Sequence, residues 1–386
     1  MTFLRDDLAQ LAAYQSPHLT DEDKLPILDA LDTNESPIDL PADIKAALAE
    51  QYRDAIAANR YPDSSHLALK QAILTYAVES GNLTTESIRA ENISIGNGSD
   101  ELIRSIMMAT CLGGHGSILV AEPTFSMYAI LAESLGIPVR RVGRDDRFEV
   151  DVAAAQTVLS QADLTPPVRV VFMVHPNSPT ANALTAKEID WLKQLPTGIL
   201  VVVDEAYFEF SGQTTLSEAL SRPNWIVTRT FSKAFRLAAH RVGYGIAHPA
   251  VIAALEKLRL PYNLPSFSQA AALTTLTHRN QLLAQIPTLL TERRRLLSAL
   301  SNHPCLRVWP SDSNFLYVRL SDRGLAALGS TEQADGLTEL FRRLRAQGTL
   351  TRYTGGGLRV SIGTAAENQR TLAHLQQVLA LKASVI

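Results

Sequence analysis

The chain has 386 residues, 46% of them hydrophobic, with 36 Lys and Arg against 39 Asp and Glu, a net charge of -3. That length suits one large and one smaller domain, and the near-balance of charge argues against nucleic acid or an anionic membrane as a partner. The two cysteines, Cys111 and Cys305, lie far apart and make no metal-ligand spacing, so no metal is expected and a reducing compartment is the simple reading. Asp6 and Asp7 interrupt the N-terminus, which has no apolar signal core, and no uncharged run reaches the length of a membrane span. A soluble, cytoplasmic protein is the expectation.

Leu4, Leu8 and Leu11 recur at helical spacing up to Pro17, with Tyr14 inside that stretch. Leu31 to Pro37 is a short extended piece entering a turn. Helical periodicity resumes from Asp43 to Ala57 and stops before Tyr61-Pro62-Asp63, where a residue preceding proline favours extended backbone. Packing is the ordinary fate of such a Tyr. From Asn92 to about His248, short β-branched runs alternate with helical stretches, as in a parallel sheet covered by helices. The strand candidates are Ile93–Ile95, Ser117–Val120, Val168–Val174, Ile199–Val203, Trp225–Thr228 and Val242–Ile246. Ligands of such sheets gather beyond the strands' carboxyl ends. After Pro261 the spacing predicts a long helical region from 268 to 300 and strands at 306–309 and 314–319. A helix over 331–347, a strand ending at Arg352, a strand at 358–362 and a closing helix over 365–381 follow. The reading is an α/β fold with a mostly parallel central sheet and a smaller α+β domain built from both chain ends. Residues 1–40 form an arm and part of the small domain, 41–265 the large domain and 266–386 the small one.

Thr228 to Tyr244 reads T-R-T-F-S-K-A-F-R-L-A-A-H-R-V-G-Y. Lys233 follows the hydroxyls of Thr228, Thr230 and Ser232, and Arg241 comes eight residues later. Hydroxyls and a guanidinium hold a phosphate, while a lysine held among them can do covalent chemistry on a carbonyl. Pyridoxal 5'-phosphate would need both; a surface lysine on a loop is the plain alternative. Gly96-Asn-Gly-Ser99-Asp100-Glu101 follows a strand and opens an amphipathic helix, which suits a phosphate cradle or an ordinary helix cap. Asp204 stands where a buried strand ends, so it needs a cation or hydrogen bonds; a protonated pyridine nitrogen is one such partner. A magnesium site of the Walker type is the competing idea, and the chain has no GxxxxGK[ST] to accompany it. Tyr207 is three residues further on, Phe125 offers a face for a planar ring, and His175 to Thr180 ends another strand with polar groups between prolines.

Together with Tyr14-Gln-Ser, Asn34-Glu-x-Pro37, Tyr61-Pro-Asp63, Pro261-Tyr262-Asn263 and Leu358-Arg359-Val-Ser-Ile-Gly363, these loops resemble the fold-type I, class I/II aminotransferases over nearly the whole chain. The softer pieces resemble the histidinol-phosphate branch of that family, with aromatic amino-acid aminotransferases as the rival. A phospho-amino-acid decarboxylase and a cofactor-sensing regulator are more distant alternatives. The resemblance implies a Schiff base between Lys233 and pyridoxal 5'-phosphate, Asp204 on the ring nitrogen, Tyr207 on the phenolic oxygen and Phe125 stacked on the ring. It implies that Ser99, Asp100, Thr230, Ser232 and Arg241 hold the phosphate, with Tyr61 reaching it from a second subunit of a homodimer. Arg359 would grip the anionic end of the substrate, with Arg352, Tyr14 and Tyr262 as further candidates and Asn34 nearby. The small-molecule partners implied are an amino donor and a 2-oxo acid. Three positions depart from the family pattern: Ser178 for Asn, which weakens a second bond to the ring oxygen; Ala181 for Gly, where a positive φ is less comfortable; and Phe125 for Tyr.

Overall fold

The β-branched runs line up side by side as their alternation with helices requires. The protein is seen in a computed structural model that describes residues 26–161 and 163–380, together with Phe3 and Arg5. Tyr14 and the leucine-spaced stretch around it lie outside the described residues. The chain divides into two units; the first contains Asp39–Pro176 and Leu184–Ala284, and the second Asn177–Ala183 with 26–38 and 285–380 among the described residues.

The first unit is built on a seven-stranded sheet. Its order is Ile93–Asn97, Val242–Ala247, Trp225–Thr230, Leu200–Asp204, Val168–Val174, Ser117–Ala121, Val139–Val142. Val242–Ala247 runs antiparallel to both neighbours, and the other described pairings are parallel. The reversed strand therefore begins at the edge where the others end. Val242 lies opposite Asn97, and Gly243 opposite Thr230. The central strands are buried on both faces, which explains their unbroken Val and Ile runs. Helices cover them with Ile103, Ile106 and Met107 of Gly98–Thr110 and with Leu69, Ile73 and Tyr76 of Leu67–Gly81. Each such side chain contributes about 1.5–3 kcal/mol of burial.

Three expectations need correction. The strand Val139–Val142 was not among the candidates, because Arg140 and Arg141 interrupt its apolar pattern; charges of this kind are normal on an edge strand. The expected long helix is three helices, Ser266–Thr277, Arg279–Leu283 and Ile286–Ser301. Pro287 sits in the first turn of the third, where its fixed φ favours a start. The first two of these helices place Ala271, Ala272, Leu276 and Leu282 in the core of the first unit, so the division falls near Gln285, not at 265/266.

The second unit carries a four-stranded antiparallel sheet in the order Arg352–Thr354, Gly357–Ser361, Phe315–Leu320, Leu306–Val308. Leu296, Leu316, Val318, Leu337, Leu344, Val360 and Leu375 are among its core residues. The N-terminal segment joins this unit through Asp29–Ala30, which pairs parallel with Thr349–Leu350. Asp29 is fully buried and accepts from Arg370. Among the described residues, no helix is long and apolar enough to cross a membrane.

Candidate active site

The carboxyl edge of the first unit's sheet gathers residues from distant parts of the sequence. Thr230 ends its strand there, and the chain turns through Ser232 and Lys233 before returning at Arg241. Thr230 Oγ1 accepts from the Ser232 N–H at 3.1 Å and donates to Ser232 Oγ at 3.0 Å. Arg241 donates to Ser232 Oγ at 3.3 Å and meets the Asp100 carboxylate at 3.2 Å. The helix Gly98–Thr110 opens against this group, with the Gly98 N–H donating to the Arg241 carbonyl at 2.7 Å. Gly98 has φ +76, and a Cβ on Gly243 would come within 2.4 Å of the Ser99 nitrogen. Both glycines are required for this close approach. First-turn N–H groups, two hydroxyls and a guanidinium thus face one small region, a donor set suited to a phosphate dianion.

One strand further in, Asp204 is buried at the end of Leu200–Asp204. It accepts from the Tyr128 hydroxyl at 2.9 Å and from the Ala206 N–H at 3.2 Å. Burial pushes its carboxyl up to about 6; the Tyr128 bond opposes this, while the charge of Asp100 adds to it. Lys233 Nζ lies 6.0 Å from the centre of the buried Tyr207 ring. Phe125, half-buried, meets Tyr128 edge-on at 5.5 Å.

The second unit has its own cluster of basic groups. Arg352 and Arg359 are directly opposed on neighbouring antiparallel strands and so share a face. Like charges in that relation are unfavourable unless an anion is bound between or beside them. Arg359 donates to Ser178 Oγ at 3.0 Å and to the Asp32 carbonyl, and lies 5.5 Å from the centre of the Phe315 ring. Asn34, buried with φ 55, accepts from the Ser361 hydroxyl at 3.0 Å, and its carbonyl accepts from Asn314.

A sequence model of the family "aminotransferase class I and II" matches residues 28–375. This chain is a class I and II aminotransferase. A histidinol-phosphate aminotransferase of Trichodesmium erythraeum is 55% identical over 98% of this chain and 99% of its own length. A histidinol-phosphate aminotransferase 2 of a Nostoc strain is 56% identical over 98% of each. Among solved structures, histidinol-phosphate aminotransferase from Sinorhizobium meliloti in complex with pyridoxal-5'-phosphate has a TM-score of 0.82 at 22% identity, covering 98% of both chains. An aspartate aminotransferase variant of Thermus thermophilus has a TM-score of 0.78 at 18% identity, covering 98% of this chain and 100% of the other. The two structures share the fold.

Within the aminotransferase, Ser99, Asp100, Phe125, Asp204, Tyr207, Thr230, Ser232, Lys233 and Arg241 all belong to the first unit, and Asn34, Ser178, Arg352 and Arg359 to the second. Tyr262 belongs to the first unit, where it stacks on Tyr61 at 4.5 Å with an interplanar angle of 13°. Asn263 fixes this loop by donating to the Glu101 carboxylate at 2.7 Å and accepting from Arg259 at 3.0 Å. Ala181 does adopt the uncomfortable backbone, with φ 69.

Two features of the site went unrecognised in the sequence. One is the Tyr128 bond to Asp204, across 76 positions. The other is the ion pair of Glu205 and Arg229, 2.9 Å apart, each next in sequence to a strand-end residue. Their available signal was an Arg and a Glu placed at the ends of apolar strand runs, since buried charge requires a partner.

Proposed function

We propose that this aminotransferase binds pyridoxal 5'-phosphate and moves an amino group between histidinol phosphate with 2-oxoglutarate and imidazole acetol phosphate with glutamate, a step of histidine biosynthesis. The observation that carries the chemistry is the meeting of Lys233, Asp204 and the phosphate donor set at one sheet edge. Its substrate assignment is supported by relatives 55% and 56% identical over 98% of this chain. The residues fit the cofactor. A buried carboxylate is matched to a pyridinium, and the Gly98 and Gly243 approach leaves backbone N–H groups, Thr230, Ser232 and Arg241 for a phosphate.

Pyridoxal phosphate, when bound, supplies an electron sink that acidifies the Cα–H of the amino donor. Lys233 Nζ is the base that takes the Cα proton and returns it to the acceptor carbon. Asp204 would keep a proton at the ring nitrogen, and the Tyr207 hydroxyl would donate to the phenolic oxygen. Asp100 orients Arg241; it and Ser99 would each contribute an N–H to the phosphate, and Phe125 would pack against the ring. Arg359 is assigned to the substrate's phosphate or carboxylate, with Arg352 beside it and Ser178 holding its guanidinium.

A homodimer belongs to the same reading. Tyr61 is 79% exposed, Leu260 70%, Leu67 55% and Tyr52 53%, large apolar side chains that a second copy could cover. Covering them with a second copy would let Tyr61 reach the partner's phosphate. A monomeric mass in sedimentation equilibrium would remove this element. Cys111 and Cys305 are free and buried, in keeping with a cytoplasmic location.

The reading is tested by a single half-reaction. Cofactor-loaded protein is mixed with L-histidinol phosphate or L-phenylalanine at equal low concentration, and cofactor absorbance is followed. Faster conversion by histidinol phosphate is expected, and none in Lys233→Ala. Faster conversion by phenylalanine would transfer the substrate assignment to aromatic amino acids.

A further inference from the structure

Asp204 is surrounded by groups that make its role less simple than a carboxylate facing a cation. Burial and the charge of Asp100 both favour its neutral form. A pyridine nitrogen and a carboxyl of comparable basicity share one proton, which rests on the stronger base. The ring becomes a good electron sink only when the nitrogen keeps it, so something must weaken Asp204 as a base without blocking it.

Tyr128 has the placement to do this. It is fully buried at the start of the helix Met127–Ser134 and stacks on Phe172 at 4.6 Å and 22°. Phe125 also meets it edge-on at 5.5 Å. Its hydroxyl is held 2.9 Å from Asp204 Oδ2, while the Ala206 N–H takes Oδ1. An ionised carboxylate has about four acceptor positions, so these two bonds leave room for the ring N–H. Burial, with Asp204, Asp100 and Tyr207 as charged or ionisable neighbours, pushes the phenol well above its ordinary range. Tyr128 therefore remains a donor throughout the working pH range.

We propose that Tyr128 is a positioning residue of the reaction: its hydroxyl lowers the basicity of Asp204, so that the shared proton stays on the cofactor nitrogen. This rests on the pyridoxal phosphate reading above. A packing role alone would be satisfied by the ring, since both aromatic contacts survive in Phe.

The test is Tyr128→Phe, read without turnover. In cofactor-free protein labelled with [4-13C]aspartate, the Asp204 carboxyl, assigned by Asp204→Asn, should titrate about one pH unit higher in Tyr128→Phe than in the native chain. In protein loaded with [ring-15N]pyridoxal phosphate, the nitrogen resonance should move from the protonated toward the neutral position at unchanged pH. An unmoved midpoint overturns the coupling. A moved midpoint with an unmoved 15N resonance overturns the role in ring protonation. Failure of the native protein to bind pyridoxal phosphate overturns the cofactor reading and this inference with it, an outcome the native sample alone reveals.

Discussion

Arg229 tests how far the site depends on a buried charge pair that touches no reactant. Arg229 and Glu205 are each 1% exposed, and their nearest charged atoms are 2.9 Å apart. The guanidinium also donates to Ser80 and Thr214 and lies 3.7 Å from the centre of the Phe208 ring. Glu205 accepts in addition from the Thr214 hydroxyl and the Thr215 N–H. Arg229→Met keeps much of the stem's volume but leaves Glu205 buried without its cation. Removing one side of a buried pair costs about 3–5 kcal/mol, and the remaining donors to Glu205 place this case near 3 kcal/mol. That is a large part of the roughly 5–15 kcal/mol that stabilises a domain.

The assay is urea unfolding of the cofactor-free protein, followed by tryptophan fluorescence; Trp225 opens the same strand as Arg229. Adding Glu205→Leu should recover most of the loss, because a pair of apolar groups needs no charge compensation. A single variant within about 0.5 kcal/mol of native, or a double variant no better than the single, would refute the reasoning.

Gly243→Ala would bring a Cβ within 2.4 Å of the Ser99 nitrogen and 2.7 Å of the Gly98 carbonyl carbon, both backbone. Strain of about 1–3 kcal/mol displaces the helix start, and pyridoxal phosphate affinity should fall about tenfold or more by equilibrium dialysis; unchanged affinity would mean the phosphate is held elsewhere. Asp204→Asn concerns stability. The folded-state value of about 6 exceeds the ordinary 3.8, so Asp204 destabilises the cofactor-free native state increasingly as pH rises from about 4 to about 6, levelling off at about 3 kcal/mol by pH 8. The Asn variant, without cofactor, should therefore melt higher than native at pH 8, with the advantage gone by pH 4. Equal melting at pH 8 would show that Asp204 carries no such penalty.

The legible parts of this chain were those written in local patterns. The interior strands announce themselves through runs such as Val201-Val202-Val203, and the lysine stretch lies within 17 consecutive residues. Leu67–Gly81 was harder, because Leu67, Ala68, Ala72, Leu74 and Val78 spread apolar character around the helix and blur its period. Pro287 divides a region whose charge and periodicity read as one helix. Tyr128, Glu205 and Arg229 were hidden for a different reason. Their roles are set by partners that only strand order brings near, and Asp204 and Tyr128 are 76 positions apart. Tyr262 shows the converse: its motif was visible, but its stacking partner Tyr61 depended on how Asn263 and Arg259 anchor the loop.

The reversed strand explains why so much of the site is contiguous in sequence. In an all-parallel sheet, the residue before each strand lies at the amino edge, far from the ligand side. Because Val242–Ala247 runs the other way, Arg241 enters at the carboxyl edge, close behind Thr230, Ser232 and Lys233. A single loop can then supply hydroxyls, amine and guanidinium together. Its return forces Arg236 and Arg241 into positive φ, at 61° and 53°. Such backbone costs roughly 1–2 kcal/mol per residue. Phe231, Phe235 and Leu237 are almost wholly buried within the same loop, and the Phe231 N–H donates to the Val242 carbonyl at 3.0 Å. Apolar burial of that size exceeds the strain, so the loop holds its shape before any ligand arrives. The phosphate donors are consequently preorganised by aromatic packing beneath them, and changes to Phe231 or Phe235 should reach cofactor affinity through the backbone of Arg241.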